Sequence, residues 1–235
     1  MPPDISALTD QWKAIQHEMR KRMIVVRLPQ PLPRFVAGAD CAFSPDREKI
    51  FAIALVYDRE ERRIVELTHV IQQVEIPYVP GFLSFREGPA VIAALSQLRH
   101  PFGVIMIDGH GYAHPRRCGI ASHVAITLDK PGIGAAKSIL TGAHAELPPQ
   151  AGARVPLLHR GEQIGTVLRT KDHTKPVYVS IAHRSDLDSA VELVLACCTK
   201  YRIPEPTRQA DIEVAKLKAR YLAGEGLEPP QLDLF

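Results

Sequence analysis

A chain of 235 residues with 46% hydrophobic and 23% charged positions has the balance of an ordinary globular protein, which excludes a disordered or fibrous chain. Its 29 Lys and Arg against 26 Asp and Glu leave a net charge of +3. That balance permits a nucleic-acid partner without requiring one, because an electrostatic footprint depends on where the charges lie.

Residues 5–22 carry a weakly helical pattern, followed by a connector stiffened by Pro29, Pro31 and Pro33. Phe35–Phe43 and residues 50–57 are rich in β-branched and apolar side chains around the turn-like SPDREK, which predicts a hairpin. Residues 64–76 alternate well enough to extend that sheet. Pro77-Tyr78-Val79-Pro80-Gly81 then breaks regular structure and predicts a loop. Pro89 suits the first position of a helix, with Val91, Ile92, Leu95 and Leu98 on one face. Val104–Ile107 is a short, wholly apolar run, the form of a strand covered on both faces, with Asp108 at its tip.

Further on, the pattern predicts a helix near residues 121–128, a strand over Gly132–Ala136 and a hairpin of residues 155–159 and 163–169 turning at Arg160-Gly161-Glu162. Residues 177–181 add a strand. Ser185 with Asp188 three residues on is a capping-box pattern, and Ala190, Leu193, Val194 and Cys197 give the next helix a buried stripe. A last helix is expected over about residues 207–223.

No apolar run approaches the roughly 20 residues of a membrane span, and MPPDISALTDQWKAIQ lacks the features of a secretory signal. Cys41 and Cys118 stand alone and Cys197-Cys198 are adjacent, which is neither a disulfide framework nor zinc-ribbon spacing. A cytoplasmic protein with buried thiols, no structural zinc and no membrane partner is expected. Every apolar stretch has a place in the core, so a monomer is expected as well.

Strands followed by alternating strand and helix predict an α/β layered domain whose ligand site lies beyond the strand ends. Asp40 closes Val36-Ala37-Gly38-Ala39, Asp108 closes the next apolar strand, and Glu87 precedes Pro89, just outside a helix. Three carboxylates from three segments can converge, and such an oxygen-rich set suits Mg²⁺ or Mn²⁺. The same residues can equally cap turns or complement a helix dipole.

PYVPGFLSFRE from Pro77 to Glu87, IDGHGYAHPRR from Ile107 and GIGAAKS from Gly132 resemble, in that order, the signature blocks of the endonuclease V family. VAGADCAF before them, and HRGEQIGTVLRT, KPVYVSIAHR and IPEPTRQAD after them, match too, so the resemblance covers about residues 34–211. It implies an RNase H-like domain, a central mixed β-sheet flanked by helices, over residues 1–223, with a flexible tail at 224–235. It also implies a DNA repair endonuclease that recognises deoxyinosine, the product of adenine deamination. Such an enzyme hydrolyses the second phosphodiester 3′ to the lesion with Mg²⁺, for which Mn²⁺ substitutes, leaving 3′-OH and 5′-phosphate ends.

Carried over by position, Asp40, Glu87 and Asp108 are the metal-binding carboxylates, and Asp211 falls on a fourth position that is His in some members. Lys137 matches the catalytic lysine and His114 a further site position. Pro77, Tyr78, Val79 and Pro80 resemble the wedge that enters DNA where a base has left the stack. The base pocket falls on Gly81, Gly109, Gly111, Gly134, Ala135 and Ala136, where small residues permit close approach. Arg86, Arg116, Arg117, Arg160, Arg169, Lys171 and Lys175 lie in loops or at strand ends around that site, where phosphate contacts are useful. Beyond the family core, Gln231-Leu232-Asp233-Leu234-Phe235, after Pro229-Pro230, resembles the pentapeptide by which bacterial replication and repair proteins bind the sliding clamp. Two alternatives are an inosine-specific ribonuclease of the same family and a catalytically inactive nucleic-acid-binding protein.

Overall fold

In the computed structural model, which describes residues 5–225, the β-branched segments form a meander. It comprises β1 (Phe35–Phe43), β2 (Lys49–Asp58) and β3 (Arg63–Gln73), each antiparallel to the one before. The chain crosses through helix α2 (Leu83–Leu95) to β4 (Val104–Ile107), which pairs in parallel with β1, and through α3 (Ile120–Thr127) to β5 (Gly132–Ala136), parallel to β4. Then β6 (Arg154–His159), β7 (Glu162–Leu168) and β8 (Val177–His183) complete a mixed eight-stranded sheet in the order β3-β2-β1-β4-β5-β8-β7-β6. Helix α1 (Ile5–Lys21) precedes the sheet, and α4 (Leu187–Ala196) and α5 (Glu205–Leu222) follow it.

Successive strand residues point to opposite faces, and the sequence fills the two faces differently. On β2, Ile50, Ala52 and Ala54 join the core under α2 and α3, while Phe51, Ile53, Leu55 and Tyr57 pack against α5. On β4, Ile105 and Ile107 face α2 and α3, whereas Val104 and Met106 face α4. A sheet covered by helices on both sides needs apolar side chains on both, which is why β4 is apolar without alternation. Among the described residues no helix is long and apolar enough to cross a membrane.

Four local expectations are corrected. Helix α2 begins at Leu83 and runs through Pro89, so Pro89 is not its first residue and Glu87 lies inside the helix. The first turn is held by a cluster of Trp12 with Phe82 and Phe85, rings 5.5 and 5.2 Å apart, a contact from a distant segment. Asp40 does not close its strand: β1 continues to Phe43, with Asp40 paired opposite Ile53. The cap of α4 is Asp186, whose carboxylate accepts from the Ser189 amide at 2.8 Å, while the Ser185 hydroxyl donates to the Gly132 carbonyl at 2.7 Å. Helix α5 starts at Glu205, because Pro206 fits a first turn whose amides need no partner.

Candidate active site

Three neighbouring strands and one helix assemble the charged part of the site. In the parallel pair β1 and β4, Ala39 lies opposite Ile107, so the next residues, Asp40 and Asp108, leave adjacent strands at the same level. Ile107 in turn lies opposite Gly134 of β5, and Lys137 follows that strand. The fourth residue comes from α5. Gly38 lies on the same face of β1 as Asp40, and a Cβ there would overlap the Pro206 carbonyl; without one, the start of α5 rests directly on the strand. That seat carries Asp211, further along α5, to the cluster. Lys137 Nζ lies 2.6 Å from an Asp108 carboxylate oxygen and 3.3 Å from one of Asp211.

Burial and like charge set the electrostatics. Asp40 is pushed up to about 7, first by burial and then by the neighbouring Asp108 carboxylate. Asp108 is raised too, because burial outweighs the bond from Lys137. Burial works against the Lys137 ammonium, but Asp108, Asp211 and Asp40 together hold its pKa above the ordinary lysine value. Glu87 stands apart. Cys41 points to the α2 face of the sheet, opposite to Asp40, and its thiol donates to the Glu87 carboxylate, whose pKa burial raises to about 7. The structure therefore gathers Asp40, Asp108 and Asp211 about Lys137 and leaves Glu87 with Cys41. Among the described residues no three His, Cys, Asp or Glu side chains form a ready-made metal cage.

Asp108 and Lys137 also line a cavity of about 260 Å³. Of the expected pocket residues, Gly81, Gly109 and Ala136 line it. Gly111, Gly134 and Ala135 lie behind it. A Cβ on Gly134 would overlap the Gly109 carbonyl and one on Gly111 the Ile181 carbonyl, so these glycines seat the turn after β4 against β5 and β8. Ala135 packs in the core beside α4. Of the expected wedge, Tyr78 lines the cavity and is 58% exposed, whereas Val79 packs against the Trp12 cluster; Pro77 and Pro80 do not line the cavity.

His114 is buried, and its ring fixes the wedge loop. Its Nδ1 accepts from the Arg116 amide at 3.2 Å, so Nε2 carries the proton that it donates to the Gly81 carbonyl at 3.1 Å. Burial, then the charge of Arg116, lowers its pKa to about 4, so the ring is neutral at physiological pH. The same carbonyl accepts from Arg116 and Gln16. Gly81 has φ +79°, a left-handed conformation that glycine adopts at no steric cost.

Several expected phosphate ligands turn out to be committed to the fold. Arg116 is clamped on Gly81, Arg117 is 7% exposed and paired with Glu162 at 2.7 Å, and Arg169 donates to the Leu147, Pro148 and Thr174 carbonyls. Arg86 lies over the Phe43 ring at 4.5 Å, and Lys171 donates to the Lys200 carbonyl. Arg160 and Lys175 are exposed. Sequence reasoning missed Ser84, His110 and residues 138–140, which also line the cavity. The apolar pair Ile139-Leu140, 42% and 49% exposed directly after GIGAAKS, was the available clue.

Comparison with known proteins shows the family of the chain. A model of the family described as endonuclease V matches residues 17–212. The endonuclease V of Roseiflexus sp. (strain RS-1) is 46% identical over 199 residues, 85% of this chain and 88% of that protein. The crystal structure of endonuclease V from Streptomyces avermitilis is 41% identical with a TM-score of 0.86, covering 92% of this chain and 94% of that one. Endonuclease V of Ciona intestinalis, solved in complex with a 23mer DNA containing an inosine followed by a ribo-adenosine, has the same fold. It is 24% identical with a TM-score of 0.79, covering 92% of this chain and 98% of that one. These endonuclease V structures belong to the RNase H-like class, as the sheet order here does. In sequence over most of its length and in its fold, this chain is a nuclease of the endonuclease V family.

Proposed function

We propose that this enzyme nicks DNA at deoxyinosine, hydrolysing the second phosphodiester 3′ to the lesion and leaving 3′-OH and 5′-phosphate ends. The observation that carries the reading is that Asp108 and Lys137 belong both to the acidic cluster and to the wall of the cavity. A base turned into the cavity therefore brings its own backbone to the carboxylates. The family member from Ciona intestinalis, bound to inosine-containing DNA, supports the choice of base. Tyr78, exposed at the mouth, offers an aromatic face to the stack that the base leaves.

The donor set fits a hard divalent cation. Asp40, Asp108 and Asp211 offer only oxygen, and the crowding of Asp40 against Asp108 is the electrostatic condition that a cation relieves. In this reading Asp40 and Asp108 would hold Mg²⁺, or Mn²⁺ in its place, with Asp211 as a further ligand, and Glu87 would join them only by leaving its bond with Cys41 on the other face of β1. The cation supplies a Lewis acid that neutralises phosphate charge and makes water nucleophilic at neutral pH. Lys137 places a compact positive charge between Asp108 and Asp211, where it can bind the scissile phosphate. His114 keeps Gly81 and the wedge loop at the cavity mouth.

The metal reading has a thermal signature. Asp40 and Glu87 lie near 7 in the fold against the ordinary 3.8 and 4.5. The folded state thus holds more protons than the unfolded one, and the metal-free protein loses stability as pH rises from about 4 to above 7. A cation offsets the charge only where the carboxyls are ionised. Mg²⁺ or Mn²⁺ is expected to raise the melting temperature clearly at pH 8 and little at pH 5.5, as differential scanning fluorimetry can measure. An equal rise at both values would remove these carboxyls as the binding groups.

The function is tested by cleavage of single- and double-stranded DNA and RNA oligonucleotides, each with one inosine, in Mg²⁺ against EDTA, with the cut mapped. A metal-dependent nick in DNA one nucleotide beyond the inosine's 3′ bond is expected. Cutting of RNA alone would make the enzyme an inosine ribonuclease, and binding without cutting would make it an inactive binding protein.

The pentapeptide Gln231 to Phe235 lies outside the described residues. In this reading it binds the replication sliding clamp as a short peptide in a groove, Leu234 and Phe235 supplying adjacent apolar anchors. Deleting residues 231–235 is expected to abolish clamp binding in a calorimetric titration and to leave cleavage of short oligonucleotides unchanged. Unaltered clamp binding would remove the motif.

A further inference from the structure

Helix α1 supplies nothing to the acidic cluster or the cavity wall, yet one of its faces touches both loops that form that wall. Leu8, Trp12, Gln16 and Arg20 are spaced four apart, so they follow one another along a single face. Trp12 packs on Phe82 and Phe85, and Leu8 joins that cluster with Ile76 and Val79, which flank Tyr78 in the wedge loop. Arg20 lies over the ring of Tyr112, in the loop after β4, at 5.9 Å.

Gln16 stands where the two loops meet. It is 1% exposed. Its Nε2 donates to the Gly81 carbonyl at 3.3 Å and to the Cys118 carbonyl at 3.0 Å, and its Oε1 accepts from Arg116 Nε. Gly81 belongs to the wedge loop, whereas Arg116 and Cys118 belong to the loop after β4. Two acceptors that cannot donate and one donor that cannot accept leave the amide a single orientation. Both of its hydrogens and its oxygen are used to tie one loop to the other. Glutamate has the reach without the donors, and asparagine has the donors on a shorter stem. Gln16 also precedes residues 17–212, the part of the chain that the family model matches.

We propose that Gln16 is a positioning residue for opening the duplex: from α1 it locks the wedge loop to the loop after β4 and so holds Tyr78 where its ring replaces a base in the stack. This rests on the reading above that Tyr78 faces the stack the base leaves. Gln16 does not line the cavity, so it acts on the substrate only through the two loops. Its effect therefore depends on how much opening the substrate needs. A base in a duplex has to be unpaired and unstacked, whereas in a single strand most of that cost is absent. A wedge fixed in advance helps the first substrate far more than the second.

The test compares kcat/KM on double-stranded DNA carrying one deoxyinosine with that on the same single strand, in excess Mg²⁺, for the wild type, Gln16→Met, Gln16→Glu and Tyr78→Ala. Methionine keeps the length and burial and removes all three bonds. Gln16→Met is expected to lose about tenfold or more on the duplex and no more than about threefold on the single strand, the scale on which a misplaced positioning group acts. Glutamate keeps the bond from Arg116 and loses both donations, so Gln16→Glu holds the loop after β4 and frees the wedge loop alone. It is expected to lower the duplex to single-strand ratio in the same direction, and it decides the matter if Gln16→Met fails to fold.

A purely structural role slows both substrates by one factor, and an unchanged ratio in the folded Gln16 variants overturns the proposal. Tyr78→Ala tests the reading beneath it. If that variant leaves the ratio at the wild-type value, Tyr78 is no wedge and both fall. If it lowers the ratio while the Gln16 variants do not, this proposal alone falls.

Discussion

Asp40→Asn is expected to reduce DNA cutting by about 10³-fold or more, the scale on which charge-stabilising groups at a reacting phosphate act. Asparagine keeps the shape and removes the charge, and its amide presents hydrogens where a cation has to be held. Binding of inosine-containing DNA should survive, because Asp40 is not among the residues that line the cavity. The fold should survive as well. Asp40 is held near 7 by burial and by Asp108, so its ionised form opposes folding at pH 8 and its neutral replacement does not. The variant is thus expected to melt at the same or a higher temperature than the wild type at pH 8. Cleavage, fluorescence anisotropy and thermal melting on one preparation check all three. A variant that cuts within tenfold of the wild type would remove Asp40 from the chemistry.

Gly38→Ala is expected to be among the most damaging changes that add a single methyl group. The new Cβ would overlap the Pro206 carbonyl, a backbone atom at the start of α5, and no side-chain rotation relieves a clash with backbone. Overpacking of a tight core costs about 1–3 kcal/mol and more where backbone has to move, so a loss of about 3 kcal/mol is expected by urea unfolding. Helix α5 also carries Asp211 to Lys137, so cleavage should fall beyond what the stability loss explains. Gly88→Ala is the control. Nothing lies within 4 Å of a Cβ there, and the position is inside α2, where alanine is favoured over glycine by up to about 1 kcal/mol. Equal effects of the two substitutions would show that close approach of α5 to β1 does not govern the site.

Both predictions concern residues whose role the structure supplies and the sequence reads differently. Gly38 reads as one small residue in an apolar strand, and only the placement of Pro206 gives it a purpose. Asp40 reads as a strand terminus, yet it lies within β1 and reaches the site because alternate residues share a face with α5. Pro89 reads as a helix start; the aromatic contact of Phe82 and Phe85 with Trp12 holds the preceding turn in the helix instead. Arg116, Arg117 and Arg169 read as phosphate ligands, but each finds carbonyls or a carboxylate within the fold, and no local pattern records such partners.

What the sequence determined by itself was the set of elements and the family. Periodicity of apolar residues is a local property, so the meander, the apolar β4 and the hairpin of β6 and β7 were legible from alternation and turn residues. The motif blocks are local too, and they named the chemistry before any contact was known. Tertiary structure alone decided which side chains meet: Asp40, Asp108 and Asp211 around Lys137, Glu87 with Cys41, and Gln16 with Arg116. Those pairings depend on register between strands distant in the chain and on how closely helices sit on the sheet. Both are fixed by packing against residues far away in sequence.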